Sequence, residues 1–292
     1  MAGNFSHTIQ FIIVFGSFFT GMVLLEAWYW RRRGVSGIYD FKESVANISS
    51  GVMYKLTNGV AVVFFVLVIY DWVAQFGLGL HWGHSWWMAL ALFFITDFVF
   101  WFFHIILHKV RWCWSSHVIH HSSLNFNLST ALRQNFIVDL TGTAMLWWLP
   151  LALLGFDKTA ALVAIELNLV YQFFIHTQAV QKMPRWFEAV FNTPSHHRVH
   201  HGSNPLQIDR NFGGVLIVWD KIFGTFISEE NAGKIVYGIG PRQPTTFNPI
   251  VLSLAEFFAM WRDAWHFKDV RVFWKHPNWI EERRDSSRKG GL

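Results

Sequence analysis

The sequence predicts an all-α integral membrane protein: a bundle of about four to five transmembrane helices carrying a histidine-rich cap on its cytoplasmic side. Three observations lead there. Of 292 residues, 52% are hydrophobic and 18% aromatic while 15% are charged, well below the roughly one quarter charged that is usual in soluble domains. The apolar residues gather in runs of roughly 17 to 25, the length that crosses a bilayer. The 24 Lys and Arg residues avoid one side of the resulting threading.

Spans are expected at about Ile9–Leu25, Gly59–Leu78, Trp86–Leu107, Phe136–Phe156 and Thr159–Ile175. No Lys or Arg precedes the first and Arg31, Arg32 and Arg33 follow it, so it reads as a retained anchor with its N-terminus outside, not as a cleaved signal. Five basic residues then fall in 31–58, three in 107–135, fifteen after 176, and Lys158 alone in the connections facing the other way. That is the positive-inside pattern. It accounts for the net charge of +5 without nucleic acid, for which the chain carries no motif. Nor is there a Gly-rich phosphate loop. Cys113 is the single cysteine, which excludes an intrachain disulfide and reads as an idle thiol.

Beyond the fifth span the chain turns polar over Asn192–Pro249, as a cytoplasmic cap would. Val251–Trp265 is apolar except for a stripe of Ser253, Glu256 and Asp263, the pattern of a helix lying on the membrane. The basic tail Arg283–Lys289 reads as disordered or facing lipid headgroups. The expected organisation is a transmembrane region over 1–176, a cap over 177–250, and an interfacial helix and tail over 251–292, acting as one unit.

Three histidine clusters reach the cytoplasmic face of this threading. His104 and His108 end the third span, His117, His120 and His121 follow in the next loop, and His196, His197, His200 and His201 open the cap, with His176 at the end of the fifth span. Offsets of three and four place side chains on one helical face. Adjacent histidines diverge by about 100°, so His120 and His121, and again His200 and His201, can serve two different ions. Nine candidate metal ligands result: His104, His108, His117, His120, His121, His176, His197, His200 and His201, with His196 and Gln172 as further candidates. Nine exceeds the four of a structural zinc site, and imidazole alone does not name the metal. His81 and His84 sit in the opposite loop and are expected to stand apart, while His7, His266 and His276 have no sequence partners and read as solvated or packing residues. Glu26 and Asp71 read as interfacial. Asp97, seven and eleven residues before His104 and His108, shares their helical face and is expected to orient one of them; Asp139 and Glu166 are candidates for similar roles.

The words HxxxH, HxxHH and HHxxHH, in this order on span ends, resemble the membrane-bound fatty acid hydroxylase/sterol desaturase superfamily. Supporting words are Asp97-Phe98, His120-His121-Ser122-Ser123, Asn127 to Gln134, Tyr171-Gln172-Phe173, Ile175-His176-Thr177, Asn192 to Gly202, Ile208-Asp209, Asn211 and Trp219 to Phe226. Within the superfamily the words are most similar to the subgroup that cleaves glyceryl ether lipids. The resemblance implies two Fe ions held by the nine histidines, O2 as oxidant, a lipid substrate in the membrane and an external electron donor, with oxidation of a lipid C–H bond as the outcome. A strongly cationic site of that kind would also draw Asp97, Asp209 or Asp220 as outer partners of the ligands. Two departures are visible: the chain is shorter than the animal members of that subgroup, without their further C-terminal spans, and Lys109 stands where they carry a glutamate tied to tetrahydropterin dependence. Rival readings are a hydroxylase or desaturase of another lipid, a membrane zinc hydrolase, and a metal carrier.

Overall fold

The computed structural model describes residues 2–80, 82, 83 and 85–289. His81 and His84 lie outside these. Among the described residues there is no strand, and two isolated antiparallel bridges, Phe191 with Leu216 and Gly202 with Tyr237, are the extended pairings.

Helix α1 (Ala2–Arg32) is followed by α2 (Phe41–Ala61), whose first turn is closed by Asp40 Oδ1 accepting the Glu43 amide at 2.8 Å. A π-helical turn over Val62–Val66 carries α2 without a break into α3 (Leu67–Ala74). The first expected span falls inside α1, whereas the second, Gly59–Leu78, runs from the end of α2 through the π turn and α3 and passes beyond Ala74, where the helix ends. Helix α4 (Trp86–Lys109) leads to two four-residue turns, α5 (Arg111–Trp114) and α6 (Val118–His121), and then to α7 (Leu128–Ala131). After α8 (Met145–Leu153) comes α9 (Lys158–Ile175), with Asp157 as its N-cap. Among the described residues α4 and α9 are the two helices both long and apolar enough to cross a membrane.

The fourth expected span is corrected. Residues 136–144 are turns, and α8 has nine helical residues, about 14 Å at 1.5 Å per residue, against roughly 30 Å of hydrocarbon. The physical reason is local competition for the backbone. The Asn135 carboxamide accepts the Ile137 amide at 3.1 Å, the Thr141 hydroxyl donates to Val138 O at 3.0 Å, Gly142 adopts φ 73°, and Pro150 lies inside α8. One indole pairs a carbonyl of this segment, Trp112 Nε1 donating to Thr141 O at 3.1 Å, while Trp147 Nε1 ties α8 to α4 by donating to Thr96 O at 3.2 Å. Helices α3, α4, α8 and α9 close on a core of Tyr70, Leu92, Trp148, Leu151, Phe156 and Ala161.

The cap is mostly irregular, with three short helices: α10 (Arg185–Val190), α11 (Pro194–His200) and α12 (Val218–Phe223). It docks on α4 through stacked Trp101 and Phe223, 4.6 Å between ring centres. Helix α13 (Pro249–Phe267) follows, then α14 (Pro277–Lys289). Here one expectation changes, that of the tail. The stripe of Ser253, Glu256 and Asp263 is buried, turned onto the arginines of α5, the cap and α14, while Ile250, Val251, Phe258, Trp261 and Trp265 are exposed. The apolar face points away from the protein. The tail, read as disordered or facing lipid headgroups, is helical to Lys289, and Arg284 pairs with Asp263.

Candidate metal centre

Nine buried or half-buried histidines converge where α4, α6, α9 and α11 end. They separate into two groups, His104, His108, His117, His121 and His200 in one and His120, His176, His197 and His201 in the other, with the nitrogens of each group within 4.8 Å of one another. The adjacent residues His120 and His121 fall into different groups, and so do His200 and His201. Local sequence explains the placement. His104 and His108 share the last turns of α4, His117 is the N-cap residue of α6, and His176 is the C-cap residue of α9. Pro194 at the start of α11 fixes that helix so that His197 and His200 fall in its last turn.

The outer nitrogens are held mainly by the backbone. Nδ1 of His104 faces Phe212 O at 2.8 Å, of His176 Gln172 O at 2.7 Å, of His200 Arg210 O at 2.9 Å and of His120 Arg133 O at 3.3 Å. A carbonyl accepts only, so each of these rings carries its proton on Nδ1 and presents a bare Nε2 lone pair inward. His120 Nε2 and His176 Nε2 then stand 3.1 Å apart with a lone pair on each. Two acceptors cannot bond each other. A cation between them removes the conflict, and the other inward spacings suit one: 3.1 Å for His104 to His117, 2.9 Å for His176 to His197 and 3.2 Å for His197 to His201. With metal–nitrogen bonds of about 2.1 Å, neighbouring ligands of an octahedral ion lie about 3.0 Å apart. Nε2 of His108 and of His200 are buried without a hydrogen-bond partner. The donor set fits a pair of imidazole-liganded metal ions.

Charge points the same way. Burial, with repulsion from neighbouring imidazoles, pushes His117, His121, His197 and His201 well below the usual histidine range, and burial lowers His120 and His200 likewise. Burial takes His176 down to about 3. All are neutral at pH 7, the form that ligates metal.

Residues 89–225 match the family model for fatty acid hydroxylase. This chain resembles that family over the matched residues. It is 37% identical over 274 residues to an alkylglycerol monooxygenase of Homo sapiens and 36% identical over 270 residues to one of Danio rerio, in both cases across 90% of this chain and 58% of the relative. The chain thus spans a little over half the length of these curated relatives. An ornithine lipid hydroxylase of Rhizobium tropici is 28% identical over 173 residues, 57% of this chain and 52% of that protein. No solved structure matches. All nine histidines of the two groups lie within the matched residues 89–225.

Four aromatic rings wall the two histidine groups: Phe100 against His104, Trp114 against His108 and His121, Phe126 against His176, His197 and His201, and Phe212 against His104, His108 and His200. Asp97, expected to orient an imidazole, instead has both oxygens engaged by the cap. Oδ1 accepts the Val215 amide at 2.7 Å and Asn168 Nδ2 at 2.9 Å, and Oδ2 accepts the Leu216 amide at 3.1 Å and Trp219 Nε1 at 2.9 Å. Asp220 accepts the amides of Phe212 and Gly213, each at 2.8 Å, and the Thr225 hydroxyl at 2.5 Å. These two acids aim the segment whose Phe212 carbonyl holds His104. That segment approaches α4 so closely that a Cβ on Gly214 would meet Phe100 and Asn168 Oδ1 at 2.7 Å. Asp209 does approach a ring, with Oδ1 3.4 Å from His108 Nδ1. His196 stands outside both groups, beside Phe226. The Gln172 side-chain amide donates to Asn168 at 2.6 Å, and its main-chain carbonyl serves His176.

Sequence reasoning missed several contributors. Buried Arg133, whose own carbonyl faces His120, donates to Ile119 O at 2.8 Å, to Asn47 at 2.9 Å and to Ser122 at 2.9 Å. His276, read as a solvated or packing residue, meets Asp209 Oδ2 at 3.0 Å. Glu26, read as interfacial, is buried and ties α1 to the Leu128 amide at 2.8 Å, to the Tyr39 hydroxyl at 2.5 Å and to the Thr177 hydroxyl. Asp71 pairs with Lys158, Glu166 with Lys55, and Asp139 accepts from Asn58. None of these meets a histidine of the centre.

A cavity of about 540 Å³ runs from the centre between α1, α2, α4 and α9. His104, His117, His120, His176 and His197 line one end, and its walls are largely apolar, among them Phe19, Val52, Phe100, Phe103, Leu132, Val163, Leu167 and Phe173.

Proposed function

We propose that this chain is a multi-pass membrane di-iron oxygenase that oxidises a C–H bond of a lipid, in the manner the name alkylglycerol monooxygenase describes. The observation that carries the reading is the set of inward-facing, unprotonated imidazole nitrogens at the end of an apolar cavity. The nine histidines hold two iron ions, which supply reductive activation of O2 when bound. The cavity volume falls within the roughly 300–1,000 Å³ of small-molecule sites, and its apolar walls select an alkyl chain and exclude water. Ser116, Gln134 and Gln172, at the histidine end, offer hydrogen bonds to a polar head, so that the carbon next to the head lies nearest the ions. For an alkyl glycerol that carbon is bonded to the ether oxygen. Its hydroxylation consumes O2, two electrons and two protons and releases water; the resulting hemiacetal collapses to a fatty aldehyde and glycerol.

The electrons come from an external donor. A tetrahydropterin is the first to assay, with Lys109 rather than a glutamate beside His108 weighing against it. The positive-inside pattern and the exposed apolar faces of α1 to α4 and α9 support a site at the cytoplasmic surface, with α13 lying on the membrane by its exposed tryptophans. Similarity to an ornithine lipid hydroxylase favours one alternative outcome, hydroxylation without cleavage. Purified chain in lipid nanodiscs, supplied with iron, O2, a reductant and an alkyl glycerol, is expected to hold two irons and release aldehyde. A stable hydroxylated lipid would select the alternative. Bound zinc with O2-independent turnover, persisting after iron reconstitution, would overturn the oxygenase reading.

A further inference from the structure

The two histidine groups differ in what stands behind them. In the five-histidine group one short segment supplies three outer partners: Asp209 Oδ1 for His108, Arg210 O for His200 and Phe212 O for His104. In the four-histidine group the partners of His120 and His176 are carbonyls from two separate places, Arg133 and Gln172. The segment can present consecutive groups to different rings because Asp209 and Asn211 adopt φ of 60° and 54°, a left-handed conformation uncommon outside glycine. Such a conformation persists where its surroundings over-determine it. Asn211 is fixed on three sides, donating to His196 O at 3.0 Å and Ile227 O at 2.8 Å and accepting the Ile227 amide at 2.9 Å. Asp209 is fixed by Lys109 Nζ at 2.5 Å and His276 Nε2 at 3.0 Å.

Asp209 is the one carboxylate whose contact with a ring of either group is seen among the described residues. A carboxylate behind an imidazole makes the opposite nitrogen a stronger donor than a carbonyl does. Ligand number separates the groups further: six-coordinate ions would keep one open position with five histidines and two with four. Three of the four histidines in the smaller group line the cavity.

We propose that Asp209, acting through His108, makes the two metal sites unequal: the five-histidine site holds its ion more tightly and is the more electron-rich, while the four-histidine site keeps the open positions that face the lipid. Asp209 is a positioning residue, and the exposed Lys109 and the half-buried His276 set how much of its charge reaches His108. The inference rests on the di-iron reading and adds an order to it.

The test is iron titration of the metal-stripped full chain in nanodiscs, in competition with a chelator, together with Mössbauer spectra of the iron-57 form. Asp209→Asn suits it because asparagine tolerates the left-handed backbone and removes the charge alone. Wild type is expected to show two binding steps and two iron signals. In the variant one step weakens by roughly 10- to 100-fold and one signal moves while the other stays. Asp209→Glu should restore part of the loss, and His276→Gln should move the same signal by less. Two unchanged steps and signals, or equal weakening of both, would overturn the inference while leaving the di-iron reading intact. A wild-type chain that binds a single ion would overturn both.

Discussion

Two regions bury acids and use them differently. Asp97 and Asp220, both fully buried, accept main-chain amides of Phe212, Gly213, Val215 and Leu216, with Trp219, Asn168 and Thr225 completing their partners. Glu256 and Asp263, on α13, instead meet cations: Arg111 reaches them at 2.8 and 2.6 Å, Arg242 reaches Glu256 at 2.8 Å, and Arg284 pairs with Asp263. An acid that binds amides dictates where a backbone carbonyl points. An acid in an ion-pair cluster dictates only that two elements stay together, because each charge has a second partner. The first arrangement serves the metal centre and the second serves adhesion of α13 and α14.

Asp97→Ala should break the comparison most severely if it is wrong. The substitution leaves two amides, an indole N–H and a carboxamide N–H buried without an acceptor, at about 1 kcal/mol or more each, so a loss on the order of 4 kcal/mol is expected. Iron content and turnover should fall with it, and a variant with wild-type melting and two irons would show that the acid does not aim the Phe212 segment. Arg111→Ala should cost somewhat less, about 3 kcal/mol, because it uncovers two buried acids that keep Arg242 and Arg284. Here thermal stability should drop while iron per chain stays at the wild-type level; loss of iron at temperatures where the variant is folded would erase the distinction.

Acidification sharpens the same contrast. Burial lowers His196 to about 4, whereas the unfolded residue titrates near 6.5. The unfolded chain therefore binds the proton first as pH falls, and stability is lost between about 6.5 and 4, roughly 3 kcal/mol from this residue. Burial raises Asp263, but hydrogen bonds from Arg284 and Arg111 outweigh it and hold the acid below the usual carboxylate range. Its contribution is present above the unfolded value of 3.8 and is lost only below it. Hydrogen exchange is thus expected to quicken first in α11, while α13 stays protected until about pH 4.

What the sequence made legible was spacing. Eight histidines at offsets of three and four, with His176 alone at the end of a span, announce convergence, and adjacent pairs announce two sides. It could not show that the sides would hold five and four, because that depends on His104 and His176 arriving from different helices. Nor could it show the outer partners, most of which are carbonyls that carry no side-chain signature. The polar stripe of α13 was visible, but not that Arg111, Arg242 and Arg284 would meet it. Phe136–Phe156 misled for the opposite reason: its average is apolar enough for a span, and a few residues, Asn135, Thr141, Gly142 and Pro150, unmake the helix.

Val52, Val163 and Leu167 line the cavity and are at the same time exposed on the outside of α2 and α9. If the chain takes a lipid as proposed, such residues in a bilayer touch acyl chains on one side and the bound chain on the other. A lipid reaching the histidines by that route never passes through water, and no desolvation step precedes its binding. Saturation of the enzyme should then follow the mole fraction of substrate within the membrane and be indifferent to the volume of buffer around it. Diluting vesicles leaves the rate per enzyme unchanged, while diluting the substrate with inert lipid slows it.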